Sequence, residues 1–164
     1  MRLSMISLVL LATCAFSADG SFDNSILTLR LPDGVTVNES DFDYLPETSW
    51  KLMLDCRPVV IAMQRDDETS QQALLDRVKG NVLRQVTGGT ISDLSTWGNL
   101  ERCKGISVSG NSKHPSYPGE VTVYAVSFTS GKKIVVLVAI EQKSDPRFRA
   151  ALTDIRQSLK LKNN

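Results

Sequence analysis

The side chains in this sequence that could do chemistry are few, and the first is its single histidine, His114. Ser112 and Ser116 flank it, so a Ser–His–Asp triad would form if a distant carboxylate folded against the ring. The Gly-x-Ser-x-Gly motif, which exposes a nucleophilic serine in many hydrolases, does not occur in the sequence. We therefore predict a protein without enzymatic activity, and a hydrolase that uses the His114 loop is a minor alternative.

Metal binding has equally little support in the sequence. Metal sites need several converging ligands, and neither a CxxC nor an HxxxH spacing is present. Two carboxylate groups, Asp41 with Asp43 and residues 66–68, offer oxygen ligands of the kind that Ca²⁺ prefers. The EF-hand order with its Gly and closing Glu is missing, so we interpret both groups as solvated acidic turns. The sequence predicts no metal and no cofactor.

The N-terminus predicts export from the cytoplasm. Arg2 precedes a short apolar run over residues 5–12, which is too short to span a bilayer and is typical of a signal peptide. Small residues favour cleavage before Ala18, so residues 1–17 would be the signal. The alternative is a lipoprotein signal in which Cys14 is acylated and anchors the chain to a membrane. We expect a periplasmic or secreted protein in either case.

The remaining cysteines, Cys56 and Cys103, form an even pair in a chain sent to an oxidising space. A disulfide between them would close a loop of nearly fifty residues, worth about 4 kcal/mol by chain-entropy arithmetic. The alternative is two reduced, buried thiols, since a free cysteine packs like a small apolar side chain. The sequence leaves both possibilities open.

Charge excludes one class of partner. Without its signal the chain has 18 basic and 18 acidic residues, but residues 18–101 carry 7 and 14 while residues 102–164 carry 11 and 4. The halves therefore differ in sign, at −7 and +7, around a neutral total. Nucleic-acid binders carry a clustered basic face, so we expect no nucleic-acid partner. Residues 18–24 are small and polar, which predicts a flexible leader before a single domain over residues 25–164.

Apolar periodicity predicts an antiparallel sheet of about six to seven strands with helices packed on it, which is an α+β fold. The predicted strands are residues 26–31, 50–57, 59–63, 90–94, 101–108, 121–128 and 133–141. Residues 134–140 are continuously apolar, so this strand should lie mid-sheet with both faces covered. Ser130 and Gly131 should join the last two strands as a hairpin. Residues 35–47 and 109–119 read as irregular connections.

Two amphipathic helices complete the predicted elements. Thr69 and Gln72 form a capping box at the start of the first, and Gly88-Gly89 would end it. Its apolar stripe recurs every four residues, at Leu74, Val78, Val82 and Val86. Asp145 followed by Pro146 is the N-cap signature of the second helix. Its stripe consists of Phe148, Leu152, Ile155 and Leu159.

This order of elements resembles the PsbP-like family, which includes the Mog-type Ran-binding protein and the bacterial DcrB lipoproteins. The matching segments are a strand and turn at residues 29–34 (LRLPDG), a Trp-bearing strand at 49–51 (SWK), a helix at 69–86, a Gly-containing strand at 102–106 (RCKGI) and a closing helix at 145–161. The resemblance implies a three-layer α/β/α sandwich that binds other proteins without catalysis. The metal and photosystem contacts of the photosynthetic members have no counterpart in these residues.

Aromatic residues suggest where a partner would bind. Trp50 alternates with Leu52 and Leu54 and is expected in the core, whereas Trp97 lies nearer a turn and is the better candidate for exposure. His114 and Tyr117 lie in the Pro- and Gly-rich loop, where binding residues tend to be found. We predict an exported, non-enzymatic accessory domain that binds a protein partner. The alternative is a protein that binds a small apolar ligand between sheet and helix.

Overall fold

The computed structural model describes residues 20–38, 48–65 and 70–162, which contain ten strands and two helices. Their bounds are β1 Ser21–Asp23, β2 Leu27–Arg30, β3 Val35–Asn38, β4 Thr48–Leu54, β5 Arg57–Arg65, α1 Gln71–Gln85, β6 Val86–Leu94, β7 Lys104–Ser112, β8 Gly119–Ser130, β9 Lys133–Gln142, α2 Pro146–Ser158 and β10 Lys160–Leu161. In these described residues, neither helix is both long and apolar enough to cross a membrane. The proposed signal and Cys14 lie outside them.

The main sheet has seven strands in the order β3-β4-β5-β9-β8-β7-β6, and all its neighbouring pairs are antiparallel. A smaller antiparallel sheet has the order β1-β2-β10. The predicted α+β class and the antiparallel sheet are therefore confirmed. The continuously apolar strand β9 is the fourth of the seven, as its sequence predicted, because a central strand has both faces covered.

The two helices lie on opposite faces of the main sheet. Tyr124 of β8 lies beneath α2, with its ring centre 5.2 Å from the guanidinium of Arg156. Its neighbour Val123 points to the other face, beside α1, because side chains alternate along a strand. Residues paired across neighbouring strands point to the same face, so the strand register assigns the side chains of the other strands to one face or the other. We call the surface that carries Val123 and α1 the α1 face, and the surface that carries Tyr124 and α2 the α2 face.

The α2 face is covered over its central and β4-side strands. Helix α2 packs chiefly on β9 and on β2 of the small sheet, and it also contacts β5. The small sheet packs on β4, where the rings of Phe22 and Trp50 lie 4.9 Å apart. Trp50 is 4% exposed, which confirms its predicted place in the core. Leu52, which is two residues further along β4 and points to the same face, is fully buried.

On the α1 face the cover is partial. Helix α1 packs on β6, β7, β8 and β9, with Leu74, Leu75, Val78 and Val82 buried. Strands β4 and β5 present Met53 and Ile61 on the same face, and both side chains stay only half-buried. Among the described residues, one quarter of the sheet therefore has an apolar surface beside the helix and no element packed fully across it.

The helix ends agree with the sequence in one case and differ in the other. Asp145 caps α2 and accepts a hydrogen bond from the Arg147 backbone N–H, as predicted. Helix α1 is capped by Ser70, whose hydroxyl accepts from the Ala73 N–H, so the capping box assigned to Thr69 and Gln72 is wrong by one residue. The Gln72 amide instead donates to Asp76 on its own helix.

Three segments predicted as irregular are strands. Residues 21–23 of the expected flexible leader pair with β2 and bury Phe22, so the leader assignment is wrong there. Residues 35–38 pair with β4, and residues 109–112 extend β7 along β8. Gly88-Gly89 does not end α1, because the helix stops at Gln85 and the glycines lie in an irregularity of the β6–β7 pairing. In each case cross-strand hydrogen bonds outweigh weak local propensity.

The cysteines do not form a disulfide: Cys56 is an exposed thiol and Cys103 a buried one. Cys56 occupies the β4–β5 turn, which lies at the end of the sheet where β9 finishes. Cys103 precedes β7, whose first residue pairs with Ser127 near the opposite end. Strands of this length separate the two ends by about 30 Å, whereas a disulfide needs Cα atoms within about 7 Å. Burial raises the pKa of the Cys103 thiol.

Candidate functional site

A cavity of ≈ 560 Å³ lies on the α1 face, between α1 and the strands β4, β5, β9 and β8. Small-ligand pockets in proteins span about 300–1,000 Å³, so the cavity is large enough for a ligand. Its floor is formed by side chains that alternate onto this face of the sheet. They include Met53, Ile61, Met63, Val123, Val138 and Ile140. We call this cavity the apolar trough.

The helix wall of the trough follows from the period of α1. Leu74, Val78 and Val82 recur every four residues, so they form one stripe that faces into the trough. Arg77, Asn81 and Gln85 recur with the same period next to them and line the solvent side of that wall. The same amphipathic pattern that anchors the helix on β8 therefore also provides an apolar wall with a polar rim.

The opposite rim is formed by Lys51 of β4. Burial of its stem lowers the pKa of the Lys51 ammonium. Lysine can cover apolar surface with its methylene chain while keeping the charged end near water. Among the described residues that line the trough there is no Asp or Glu, whereas Lys51 and Arg77 are basic. Within the described part of the chain, the trough therefore combines an apolar interior with a rim that carries two basic residues.

Tyr117 closes one end of the trough. Its hydroxyl donates to the carbonyl oxygen of Pro58 across 2.7 Å, and burial raises the pKa of this phenol. Its ring meets Phe148 of α2 edge-on, with 6.4 Å between the centroids. The His114 ring lies 5.4 Å from that of Tyr117 and also lines the trough. Tyr117 is therefore anchored both to the backbone of β5 and to helix α2.

A charged cluster fixes the same end of the molecule. Arg57 donates to Gln142 across 2.7 Å and to the Asp145 carboxylate across 3.0 Å, and its guanidinium lies 4.3 Å from the Phe148 ring centre. Arg147 also donates to Asp145 across 2.9 Å. The hydrogen bond from Arg147, together with that from Arg57, holds the pKa of Asp145 at about 2, below its usual 3.8. This cluster anchors the start of α2 next to the residues that close the trough.

The residues predicted as partner contacts have different surroundings from those expected. Trp97 is 1% exposed, so its expected exposure is wrong. Its loop packs against the end of α2: Asn99 bonds to the Arg156 carbonyl, and a Cβ at Gly98 would lie 2.1 Å from that oxygen. Tyr117 is also buried, at 5% exposure, whereas His114 is exposed. The structure brings His114 and Tyr117 together at the trough and places Trp97 on the α2 face.

The His114 loop shows no catalytic arrangement. The Ser116 backbone N–H donates to His114 Nδ1 across 3.2 Å, and the His114 N–H donates to the Ser112 hydroxyl across 3.0 Å. These are local turn contacts, and within the described ranges no carboxylate is bonded to the imidazole. The same part of the chain contains no group of three potential metal ligands. Asp41, Asp43 and residues 66–68 lie outside it.

Sequence reasoning offered an apolar ligand between sheet and helix only as an alternative, and it singled out His114 and Tyr117 as partner contacts without locating the trough that they line. The periodicity of α1 showed one apolar stripe, and the β4 and β5 patterns showed alternating or continuous apolar residues. Those patterns do not reveal that α1 lies over β8, because only the strand order brings β5 and β9 beside the helix. The one available signal was that β5 is apolar on both faces over residues 59–63. A strand with apolar side chains on both faces needs packing partners on both faces, and the sequence does not identify the partner of β5 on the α1 face.

A second quarter of the sheet also lacks a described helix, on the α2 face over β6, β7 and the adjoining end of β8 near Thr122. Its side chains are hydroxyls: Thr90, Ser92, Ser107, Ser109 and Thr122. The hydroxyls of Ser109 and Thr122 lie 2.9 Å apart and bond to each other. We call this surface the hydroxyl patch. It is the polar counterpart of the apolar trough.

Comparison with known proteins gives one kind of match. No protein-family model and no curated protein matches this chain. Among solved structures the chain is similar to one described as LpqN, involved in cell envelope biogenesis of Mycobacterium tuberculosis. The TM-score is 0.51 with 14% identity, over 89% of this chain and 86% of that one. At this identity the similarity concerns the fold alone, and the PsbP-like resemblance stays a prediction.

Proposed function

We propose that this protein is an exported, non-enzymatic accessory protein that binds an apolar ligand in the apolar trough. One observation carries the proposal: a cavity of ≈ 560 Å³ whose floor and helix wall are aliphatic and whose rim is polar. Close-packed protein interiors leave few voids larger than a water molecule. A space of this size, lined mainly by apolar side chains, fits a ligand site.

The energetic argument concerns the side chains that stay half-exposed. Met53, Ile61, Val138 and Ile140 each leave apolar surface in contact with water in the described structure. Covering such surface gains about 25 cal/mol per Å², so an aliphatic ligand would be stabilised by burying both its own surface and theirs. Contiguous exposed apolar surface of this kind commonly marks a binding site.

The location of this function is the exported side of the membrane. The N-terminal pattern predicts a signal over residues 1–17, and the similar fold of LpqN belongs to a protein described as taking part in cell envelope biogenesis. An accessory role in an envelope or extracellular space fits both. The protein partner that the sequence favoured becomes the second possibility, since the residues expected to contact it are buried or line the trough.

The test measures binding of N-phenyl-1-naphthylamine, an uncharged apolar fluorophore, to the purified protein. We expect saturable binding at one site. Ile61→Trp on the trough floor should fill the space and weaken binding at least tenfold, which is about 1.4 kcal/mol. Isothermal calorimetry gives the stoichiometry and an independent affinity.

Ile91→Trp is the matched control. Ile91 is also a strand isoleucine on the α1 face, but it lies on edge strand β6, is 43% exposed and is not among the residues that line the trough. This variant should bind the fluorophore within about twofold of the unchanged protein, and circular dichroism should show both variants folded. Absence of saturable binding, or equal binding by both variants, would show that the trough is not a ligand site.

A further inference from the structure

We infer that the ligand of the apolar trough has an anionic head group, which Lys51 and Arg77 hold at the rim while an aliphatic chain occupies the interior. The class of ligand is a single-chain amphiphile such as a fatty-acid carboxylate. This inference rests on the proposed function and adds the polarity and the orientation of the ligand.

The two basic residues lie at the same level on opposite walls. Lys51 pairs with Ile61, which pairs with Val138, which pairs with Ala125 of β8. The Gln71 side chain at the start of α1 donates to the carbonyl of Ser127, two residues from Ala125. Ala125 is therefore about 7 Å along β8 from that contact.

Arg77 is six residues after Gln71, or about 9 Å along the helix axis. It therefore comes level with the row of strand residues that begins at Lys51. An anion at this point of the rim would lie between a guanidinium from the helix and an ammonium from the sheet. Arginine binds a carboxylate through two parallel N–H···O bonds, and the lysine adds a point charge.

The surrounding charges favour an anion at this position. Among the described residues Arg77 has no hydrogen-bond or ion-pair partner, and no described Asp or Glu lines the trough. The nearest acid along the helix, Asp76, accepts from Gln72 and lines a different groove, on the other side of α1.

The chain of the ligand would run from the rim towards Tyr117. From Arg77 to Gln85 the helix wall extends about 12 Å. Along that path the interior is lined by Val78 and Val82 on one side and by strand valines and isoleucines on the other. The end is closed by Tyr117, whose hydroxyl donates to the Pro58 carbonyl and whose ring packs edge-on against Phe148. A trough charged at one point and apolar beyond it fits an amphiphile better than a uniformly apolar molecule.

The experiment compares three ten-carbon ligands as competitors of N-phenyl-1-naphthylamine: decanoate, decanol and decyltrimethylammonium, all below their aggregation concentrations. Charge-assisted hydrogen bonds contribute about 1.5–3 kcal/mol, so decanoate should bind about tenfold or more tightly than decanol. The cation should bind most weakly. Shortening decanoate to octanoate should weaken binding about fourfold per methylene.

Variants assign the effect to the rim. Arg77→Gln and Lys51→Gln should each reduce the decanoate affinity about fivefold or more and leave decanol within about twofold. Arg77→Lys should retain part of the preference. Lys79→Gln is the matched control, because Lys79 is a basic residue of the same helix that lines the other groove, and it should change neither ligand.

The outcomes separate this inference from the proposed function. If decanol and decanoate bind equally, or if the cation binds best, the anionic head group is wrong while the apolar site stands. If none of the three displaces the fluorophore and the fluorophore itself does not bind, the proposed function fails. The ligand series on the unchanged protein decides the question even if a rim variant does not fold.

Discussion

The main sheet has two quarters that no described helix covers, and their side chains differ. The quarter on the α1 face, over β4 and β5, carries Met53 and Ile61 and forms part of the apolar trough. The quarter on the α2 face, over β6 and β7, carries Ser92, Ser107 and Ser109 and forms the hydroxyl patch. Both quarters belong to the same antiparallel sheet and are at opposite ends of its strand order.

The difference shows which surface is adapted to water. Threonine and isoleucine are both β-branched and both favour strands, so strand formation alone does not require isoleucine on an uncovered face. In the hydroxyl patch, where a quarter of the sheet faces solvent, the strands carry Ser and Thr side chains in place of aliphatic ones. The aliphatic side chains of the trough are therefore consistent with the proposed ligand site on this face.

The largest expected effect separates covered from uncovered surface within one strand. Leu52 and Met53 are neighbours on β4, but Leu52 is fully buried on the α2 face and Met53 is half-buried in the trough. Leu52→Ala should lower the free energy of unfolding by about 2–5 kcal/mol, because it leaves a cavity in packed core. Met53→Ala should cost less than about 1 kcal/mol.

Urea denaturation of the two variants measures both values. Both variants introduce an alanine into the same strand, β4, so each serves as the control for the other. Equal losses would mean that the trough is as tightly packed as the α2 face and that the two regions do not differ as described.

The second effect exchanges the polarity of the two quarters. Ile61 and Val138 are cross-strand partners in the trough, and Ser92 and Ser107 are cross-strand partners near the hydroxyl patch's edge. Changing the first pair to Thr should weaken binding of an apolar ligand by about 100-fold, or about 3 kcal/mol of lost apolar contact. Changing the second pair to Val should leave ligand binding unchanged and lower solubility.

Fluorophore titration and the concentration at which each variant precipitates are the measurements. A loss of ligand binding in the Val variants would move the site to the other face and contradict the comparison.

The smallest effect concerns the end of the sheet where the two faces meet. Hydrogen bonds from Arg147 and Arg57 keep the pKa of Asp145 at about 2 in the folded chain, below the usual 3.8. Folding therefore favours the ionised carboxylate. Its contribution to stability is complete above about pH 4 and is lost as the pH falls through about 2.

Asp145→Asn isolates that contribution, because asparagine is also a good helix N-cap but has no charge. The melting temperature of the unchanged protein should fall between pH 4 and pH 2 more steeply than that of the variant. Parallel melting curves across this range would show that the charge cluster does not hold the start of α2.

Much of the fold could be predicted because its signals are local. The Asp145-Pro146 cap, the apolar stripe of α2 and the hairpin through Ser130-Gly131 were predicted and are confirmed. The central place of β9 followed from its apolar residues on both faces. Each of these signals depends on a few adjacent residues whose backbone preferences or periodicity agree.

The predictions that failed depend on contacts between distant segments. Phe22 is buried because it meets Trp50, which a small polar leader does not suggest. Trp97 is buried because its loop packs against α2. The pairing of Cys56 and Cys103, which the sequence left open, was also decided by distant segments, because β5 and β7 have two strands between them. No local pattern carries this information.

By itself the sequence determined the α+β class, the two amphipathic helices and the predicted export signal, since these follow from periodicity, capping and composition. Only the tertiary structure decided what the unmatched apolar residues do. The order β5-β9-β8 brings Ile61 and Val138 beside Val78, and the offset of α1 leaves space between them. A binding cavity is a gap between segments, so its volume depends on how they pack and not on the pattern of any one of them.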